Sequence, residues 1–281
     1  MIQFEVNQAE CIRCGQCAQD CPVKIIDLQN GYPEIPARRE AKCYRCQHCL
    51  AICPTGAISI LGLSPADSIE LAGNLPRPEQ LETLIKGRRS VRRYHSENLE
   101  PELIRNLLEV AWHAPTGVNA RQVRFTVIDD GEALARFRDE VYEGLARLVR
   151  EQKLPKNRAF FADFLRLWRE TGEDVLFRGA PHLLVASAPR STASPLPDCL
   201  IALAYFELYA QSKGVGTVWN GLVRWTIDDM LPRLRKRLAI PADHQFGYCM
   251  SFGRPAVSYR RTVQHAPAEI VRFDPGPAPI D

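Results

Sequence analysis

Short apolar runs and amphipathic stretches follow one another along the chain, and their character changes near residue 78. Before that point the runs are brief. MIQFEV at the start and AISIL at 57–61 alternate or run apolar as short strands do, while Gln16 to Asp20 and Gln47 to Ile52 read as helical turns. From Pro78 the pattern becomes helix-rich, with helices predicted over 79–86, over 101–112 with proline at the first turn, and over 131–150. Interleaved with them, RFTVID, HLLVASA, GTVW and QFGYCMSF are apolar, β-branched or aromatic runs of the kind a covered central sheet needs. The segment 151–178 predicts helices that cap a pocket. Between the two regimes, GLSPADSIELAGNLPRPEQ concentrates glycine, proline and serine, which marks a linker. Its apolar residues are expected to pack against something. The organisation read from this is residues 1–62, a linker over 63–77, and a larger domain over 78–281.

At 281 residues the chain exceeds a usual single domain, so two units agree with its length. Hydrophobic content of 46% and charged content of 25% are those of a globular protein, and no apolar stretch approaches membrane-spanning length. No membrane association is expected. The opening MIQFEVNQAE lacks the basic flank, apolar core and small-residue cleavage site of a secretory leader, so a cytoplasmic protein is expected.

Cysteine placement carries the first chemistry. Of ten cysteines, eight fall in two copies of C-x2-C-x2-C-x3-C-P: Cys11, Cys14, Cys17, Cys21-Pro22 and Cys43, Cys46, Cys49, Cys53-Pro54. Four thiolates on short turn-forming spacers can wrap a cubic iron-sulfur cluster, and the fourth cysteine of each run reaches the neighbouring cluster. One 4Fe-4S cluster is therefore assigned to Cys11, Cys14, Cys17 and Cys53, the other to Cys43, Cys46, Cys49 and Cys21. The competing readings are a disulfide framework, which needs an oxidising compartment, and structural zinc, which uses paired C-x2-C knuckles. CIRCGQCAQDCP and CYRCQHCLAICPTGAI resemble the two halves of a bacterial two-cluster ferredoxin, over roughly residues 1–62.

The clusters alter the charge. The formal +3 counts cysteines as neutral thiols; two oxidised clusters bring the holo-chain to about −1. A nucleic-acid partner thereby loses its electrostatic support.

A second patch is GRRSVRRY at 87–94, where arginines crowd around Ser90. Such a charge run is either a solvated basic face or a phosphate clamp, since guanidinium forks match phosphate oxygens. It is followed by APTGVNARQVRFTVI at 114–128, GVGTVWNG at 214–221, and GRP with Arg260-Arg261 near the end. In order and spacing these resemble the FMN-dependent nitroreductase family, over about residues 80–273. The resemblance implies an α+β chain, with a ferredoxin-like domain followed by an α/β domain whose central, mostly antiparallel sheet is flanked by helices. It implies that Arg88, Ser90 and Arg92 bind the flavin phosphate and ribityl chain, with Arg89 inside the motif. Asn119, with Gln122 or Arg121, is implied at the polar edge of the flavin ring. Trp219-Asn220-Gly221 matches the segment whose backbone N–H groups approach flavin N5, and Arg260 or Arg261 the residue that completes the phosphate site. A homodimer with active sites at the interface is also implied, the C-terminal EIVRFD serving as an exchanged strand.

The remaining candidates read as structural. Cys199 and Cys249 lie in apolar elements as small hydrophobes. Asp198 reads as a helix cap, and the six histidines show no paired metal spacing. No side chain is assigned to acid-base catalysis. Clusters move single electrons while a flavin can accept singles and release a hydride. The leading expectation is thus an oxidoreductase taking electrons from a ferredoxin or NAD(P)H and reducing a small acceptor, such as a nitroaromatic, quinone or activated alkene. The competing readings are an electron-transfer subunit of a larger complex, a flavin dehydrogenase exporting electrons through the clusters, and a redox-sensing regulator.

Overall fold

A computed structural model describes residues 2–274 and 276. The N-terminal unit comprises β1 (Phe4–Val6), α1 (Gln16–Asp20), β2 (Asp27–Gln29), β3 (Tyr32–Glu34), α2 (His48–Ala51) and β4 (Ile58–Ile60). Strands β1 and β4 pair antiparallel with Phe4 opposite Ile60, which ties the two ends of the unit together. A small core of Ile25, Leu50, Ile58 and Ile60 packs directly on Cys17, Cys21 and Cys49.

The two cysteine runs have matching backbones. Arg13, Gly15 and Lys24 adopt positive φ in the first run, and Arg45, Gln47 and Gly56 do so at the corresponding positions of the second. Successive turns of this kind aim backbone N–H groups inward, as anion-binding loops do. Between the runs, β2 and β3 form a hairpin that periodicity did not anticipate. Its turn is Asn30-Gly31, with φ of 51° and 82°. A two-residue turn of this twist needs positive φ twice, which Asn-Gly tolerates best.

The linker departs from expectation. It holds one short 3-10 turn at Pro65–Asp67, capped by Ser64 Oγ accepting from the Ala66 amide at 3.2 Å. Ile69, Leu71 and Leu75 are 80%, 69% and 68% exposed, so in the single chain they pack against nothing.

The larger unit follows as α3 (Pro78–Gly87), α4 (Pro101–Ala111), β5 (Arg124–Ile128), α5 (Gly131–Arg150), α6 (Phe161–Thr171), β6 (His182–Pro189), α7 (Pro195–Ser212), β7 (Gly216–Trp219), α8 (Gly221–Trp225), α9 (Arg233–Arg237) and β8 (His244–Gly253). The sheet has the order β5-β6-β8-β7 and every pair is antiparallel, in agreement with the α+β expectation. Strand β6 is buried from His182 to Ala188 because both faces are covered, which explains its unbroken apolar run. Helices α4 and α7 cover one face, with Leu107, Leu203, Phe206 and Phe252 in contact. Helices α5, α6 and α8 cover the other through Leu134, Val141, Leu145, Phe161 and Val223.

Local signals explain the element ends. Asp130 caps α5, its carboxylate accepting from the Ala133 amide at 2.7 Å. The segment 151–178 contributes one longer helix, α6, which is pinned to α5 by a Tyr142–Trp168 stack at 4.7 Å. Residues 88–92 extend the sheet edge: Ser90 bridges Thr217 in parallel, and the Val91 amide donates to the Thr217 carbonyl at 2.8 Å. The C-terminal 269–274 is irregular and exposed in the single chain, so the expected strand is not formed there. Among the described residues no helix is long and apolar enough to cross a membrane.

Candidate functional site

The eight motif cysteines surround two separate cavities. One is lined by Cys11, Cys14, Cys17 and Cys53, the other by Cys21, Cys43, Cys46 and Cys49. These are the crossed sets expected from the spacing, with each fourth cysteine serving the opposite cavity. Burial raises the Cys17 thiol, with the charges of Cys14 and Cys53 adding to it. Burial, then Cys46 and Cys43, push Cys49 up to about 12. Such buried thiols stay protonated until a metal shares their charge. Sulfur acceptors are already served: Ala57 N–H donates to Cys53 Sγ at 3.2 Å and Arg45 N–H to Cys43 Sγ at 3.3 Å. Such bonds tune cluster potential. Among the described residues no donors converge as one ion would require. Four thiolates around a single zinc would lie about 4 Å apart.

Arg88, Ser90 and Arg92 stand at alternate positions along the added edge segment. The Arg88 guanidinium is half-buried and donates to Glu207 Oε1 at 3.1 Å. The same carboxylate accepts from Thr217 Oγ1 at 3.1 Å and Trp219 Nε1 at 2.9 Å. Glu207 is thus the buried anchor that orients Arg88, β7 and the Trp219 ring together. Sequence reasoning missed it, although a lone glutamate in the apolar α7 was the available signal. Arg89 turns back to the Lys86 carbonyl at 2.9 Å, leaving its Nε buried without a partner. Arg92 stays exposed.

Loop 116–121 is held under backbone strain, with positive φ at Val118, Asn119 and Arg121. Thr116 Oγ1 accepts from the Arg121 amide at 3.0 Å, and Asp198 Oδ1 accepts from the Gly117 amide at 3.0 Å. Asp198 therefore pins this loop instead of capping α7, which corrects the expectation for it. Asn119 Nδ2 donates to the Tyr44 carbonyl at 2.8 Å, joining this loop to the second cysteine run. Arg121 lies over the Trp112 ring at 5.0 Å, whereas Gln122 is exposed.

Asn220 is committed to the fold. Its Oδ1 accepts from the Val223 amide at 3.0 Å, and its Nδ2 donates to the Leu176 carbonyl and Ser251 Oγ, both at 2.8 Å. Its side chain fixes where Gly221 begins α8. A Cβ on Gly221 would lie 2.9 Å from the Tyr248 hydroxyl, so the backbone is approachable there only because the residue is glycine. Arg260 and Arg261 are exposed and line a groove of about 550 Å³ with Gln80, Thr83, Gly214 and Tyr259. They lie on the Val91 side of the edge segment, and the Tyr259 hydroxyl reaches the Ser90 carbonyl at 3.5 Å. Cys199 and Cys249 are fully buried, as expected of small hydrophobes; Cys249 Sγ donates to the Asn220 carbonyl at 3.3 Å.

Comparison with known proteins matches two stretches of the chain. Residues 10–57 match the 4Fe-4S dicluster domain, and residues 85–254 match the nitroreductase family. The chain is 28% identical over 192 residues to nitroreductase NfnB of Mycolicibacterium smegmatis, covering 59% of this chain and 75% of that protein. It is 27% identical over 140 residues to iodotyrosine deiodinase of Thermotoga neapolitana, covering 50% of this chain and 73% of that one. A nitroreductase with bound FMN from Bacteroides fragilis shares the fold with a TM-score of 0.55 at 23% identity, over 69% of this chain and 99% of that one. One from Desulfitobacterium hafniense gives 0.54 at 24% identity, over 69% and 98%. With a matched domain spanning most of the larger unit behind a 4Fe-4S dicluster domain, the chain belongs to the nitroreductase family.

Proposed function

We propose that this protein is an iron-sulfur flavoenzyme: two 4Fe-4S clusters on the crossed cysteine sets exchange electrons with FMN held by residues 78–281, and a small acceptor is reduced. The acceptor class is a nitroaromatic, quinone or activated alkene, and the donor a soluble ferredoxin or NAD(P)H. One observation carries the coupling of the two units. Asn119, on the loop implied at the flavin ring, donates to the backbone of the second cysteine run at 2.8 Å.

The residues present fit the flavin. Ser90 and Arg92 follow Arg88 at alternate positions along the edge segment, and Arg88 is oriented by Glu207. This gives hydroxyl and guanidinium donors for a phosphate. Gly221 offers an N–H where a side chain would collide with Tyr248. When bound, FMN supplies the exchange between single electrons and hydride. The protein's part is positional: Arg88, Ser90 and Arg92 hold the phosphate end, Asn119 the ring edge, and the Asn220 anchor presents the Gly221 backbone. Arg260 and Arg261 supply positive charge to the groove beside Val91.

A homodimer in the cytoplasm completes the proposal. Leu196, Ile201 and Tyr205 on α7, and Ile270, Val271 and Phe273 near the C-terminus, are exposed apolar groups that a second copy would cover.

The test is anaerobic. Iron, sulfide and flavin are quantified after reconstitution, and reduction by ferredoxin, NADH and NADPH is followed at the cluster and flavin absorbances. Bound clusters and FMN with flavin bleaching and acceptor turnover support the proposal. Reduced clusters that never pass electrons to bound FMN would end it.

A further inference from the structure

We infer that the two clusters are not equivalent: the Cys21, Cys43, Cys46, Cys49 set is the one that faces the flavin, and Asn119 is the positioning residue that holds it there. This rests on the proposed exchange of electrons between clusters and FMN. The two cysteine loops are copies in backbone, with positive φ at Arg13 and Gly15 matched by Arg45 and Gln47. Symmetry alone would leave either loop free to meet the larger unit. The side chains and contacts break that symmetry.

Tyr44 follows Cys43 as Ile12 follows Cys11. The Tyr44 carbonyl receives Asn119 Nδ2 at 2.8 Å, whereas Ile12 is 64% exposed and Cys14 beside it is exposed. Cys46, the counterpart of Cys14, is half-buried. The donating loop is itself rigidly mounted. Gly117 is bound to the buried Asp198 of α7, and Thr116 closes the loop onto the Arg121 amide. A hydrogen bond from a strained, anchored loop to the backbone between two cluster cysteines fixes separation, on which electron transfer depends steeply. Each event moves one electron between a cluster and the flavin, with no bond made at Tyr44 or Asn119. The Cys11, Cys14, Cys17, Cys53 set, with its rim in solvent, is left to exchange single electrons with an external one-electron carrier.

The experiment reads proximity instead of turnover. Full-length protein carrying both clusters and FMN is poised with dithionite so that the flavin radical and a reduced cluster coexist, and microwave-power saturation of the radical is recorded. A nearby reduced cluster speeds its relaxation. Cys46→Ser is expected to lose that enhancement and Cys14→Ser to keep it, iron and sulfide analysis verifying which cluster each retains. The reverse pattern, or equal loss in both, overturns the order. Asn119→Asp keeps every cysteine and sets a carboxylate against the Tyr44 carbonyl, so it reads the contact even if a cysteine variant fails to assemble. It is expected to lower the enhancement at unchanged iron content; no change overturns the role of Asn119. Unmodified protein that binds no FMN overturns the proposed function and this order with it, whereas bound FMN with the reversed pattern overturns the order alone.

Discussion

The Glu207 carboxylate on α7 holds the Arg88 guanidinium at 3.1 Å, linking the helix on one face of the sheet to the arginine segment at its edge. Thr217 and Trp219 donate to the same carboxylate, so three donors depend on it. Glu207→Ala is expected to destabilise the fold by about 2–4 kcal/mol, since it orphans buried donors as well as a half-buried cation. Glu207→Gln, which retains an acceptor, is expected to lose less. Urea denaturation of both variants checks the order, and flavin retention on gel filtration checks that Arg88 has lost its orientation.

Stability should depend on His182. It is fully buried, its Nε2 accepting from the Leu99 amide at 2.9 Å while Nδ1 has no partner. Burial pulls it down to about 4, against an opposing pull from Asp129 and Asp130. The unfolded chain therefore binds the extra proton between the ordinary histidine value and pH 4. The stabilisation is complete above about pH 6.5 and is lost as pH falls toward 4, with an upper size of roughly 3 kcal/mol. Unfolding free energies at pH 7.5 and 5 should differ in that direction. His182→Phe should flatten the slope even if it lowers stability overall.

Gly247 in β8 has no room for a side chain. A Cβ there would fall 2.3 Å from Cys199 Cβ and 2.9 Å from the Ala186 carbonyl. Gly247→Ala is expected to cost about 1–3 kcal/mol by forcing α7 away from the sheet. A thermal melt measures the cost.

Removing iron should act on one unit alone. The N-terminal core is small and packs on its own cysteines, so its folding is coupled to metal as in other small metal-bound domains. Chelation is expected to open residues 2–62 to protease while the sheet domain resists. Equal resistance of both units after complete iron loss would contradict this coupling.

Much of the larger unit was legible in the sequence because its strands are apolar, β-branched or aromatic runs, with β6 covered on both sides. RFTVI, HLLVASA, GTVW and QFGYCMSF need no alternation to be recognised, and they form β5 to β8. The crossed cysteine sets were legible from spacing alone. The Asn30-Gly31 hairpin was written in its dipeptide but overlooked beside the cysteines. Other features had no local signal. The Arg88–Glu207 pair spans 119 residues and Asn119–Tyr44 spans 75, and nothing in either neighbourhood names its partner. Asp198 was read as a cap because acidic residues in a first turn usually serve their own helix; here the carboxylate faces a neighbouring loop. The exposed linker apolars show the limit of composition, which reports a wish to be covered without saying by what.

The crossing of the cysteines has a consequence for how the protein is made. Cys53 closes the cavity begun by Cys11, and Cys21 closes the one completed by Cys49. A nascent chain that has reached residue 42 owns half of the thiols yet no finished set. The two runs thus form a unit that cannot be divided between them without breaking both sets. Neither set can be completed before the second run has been made, so assembly of either cluster must wait for it.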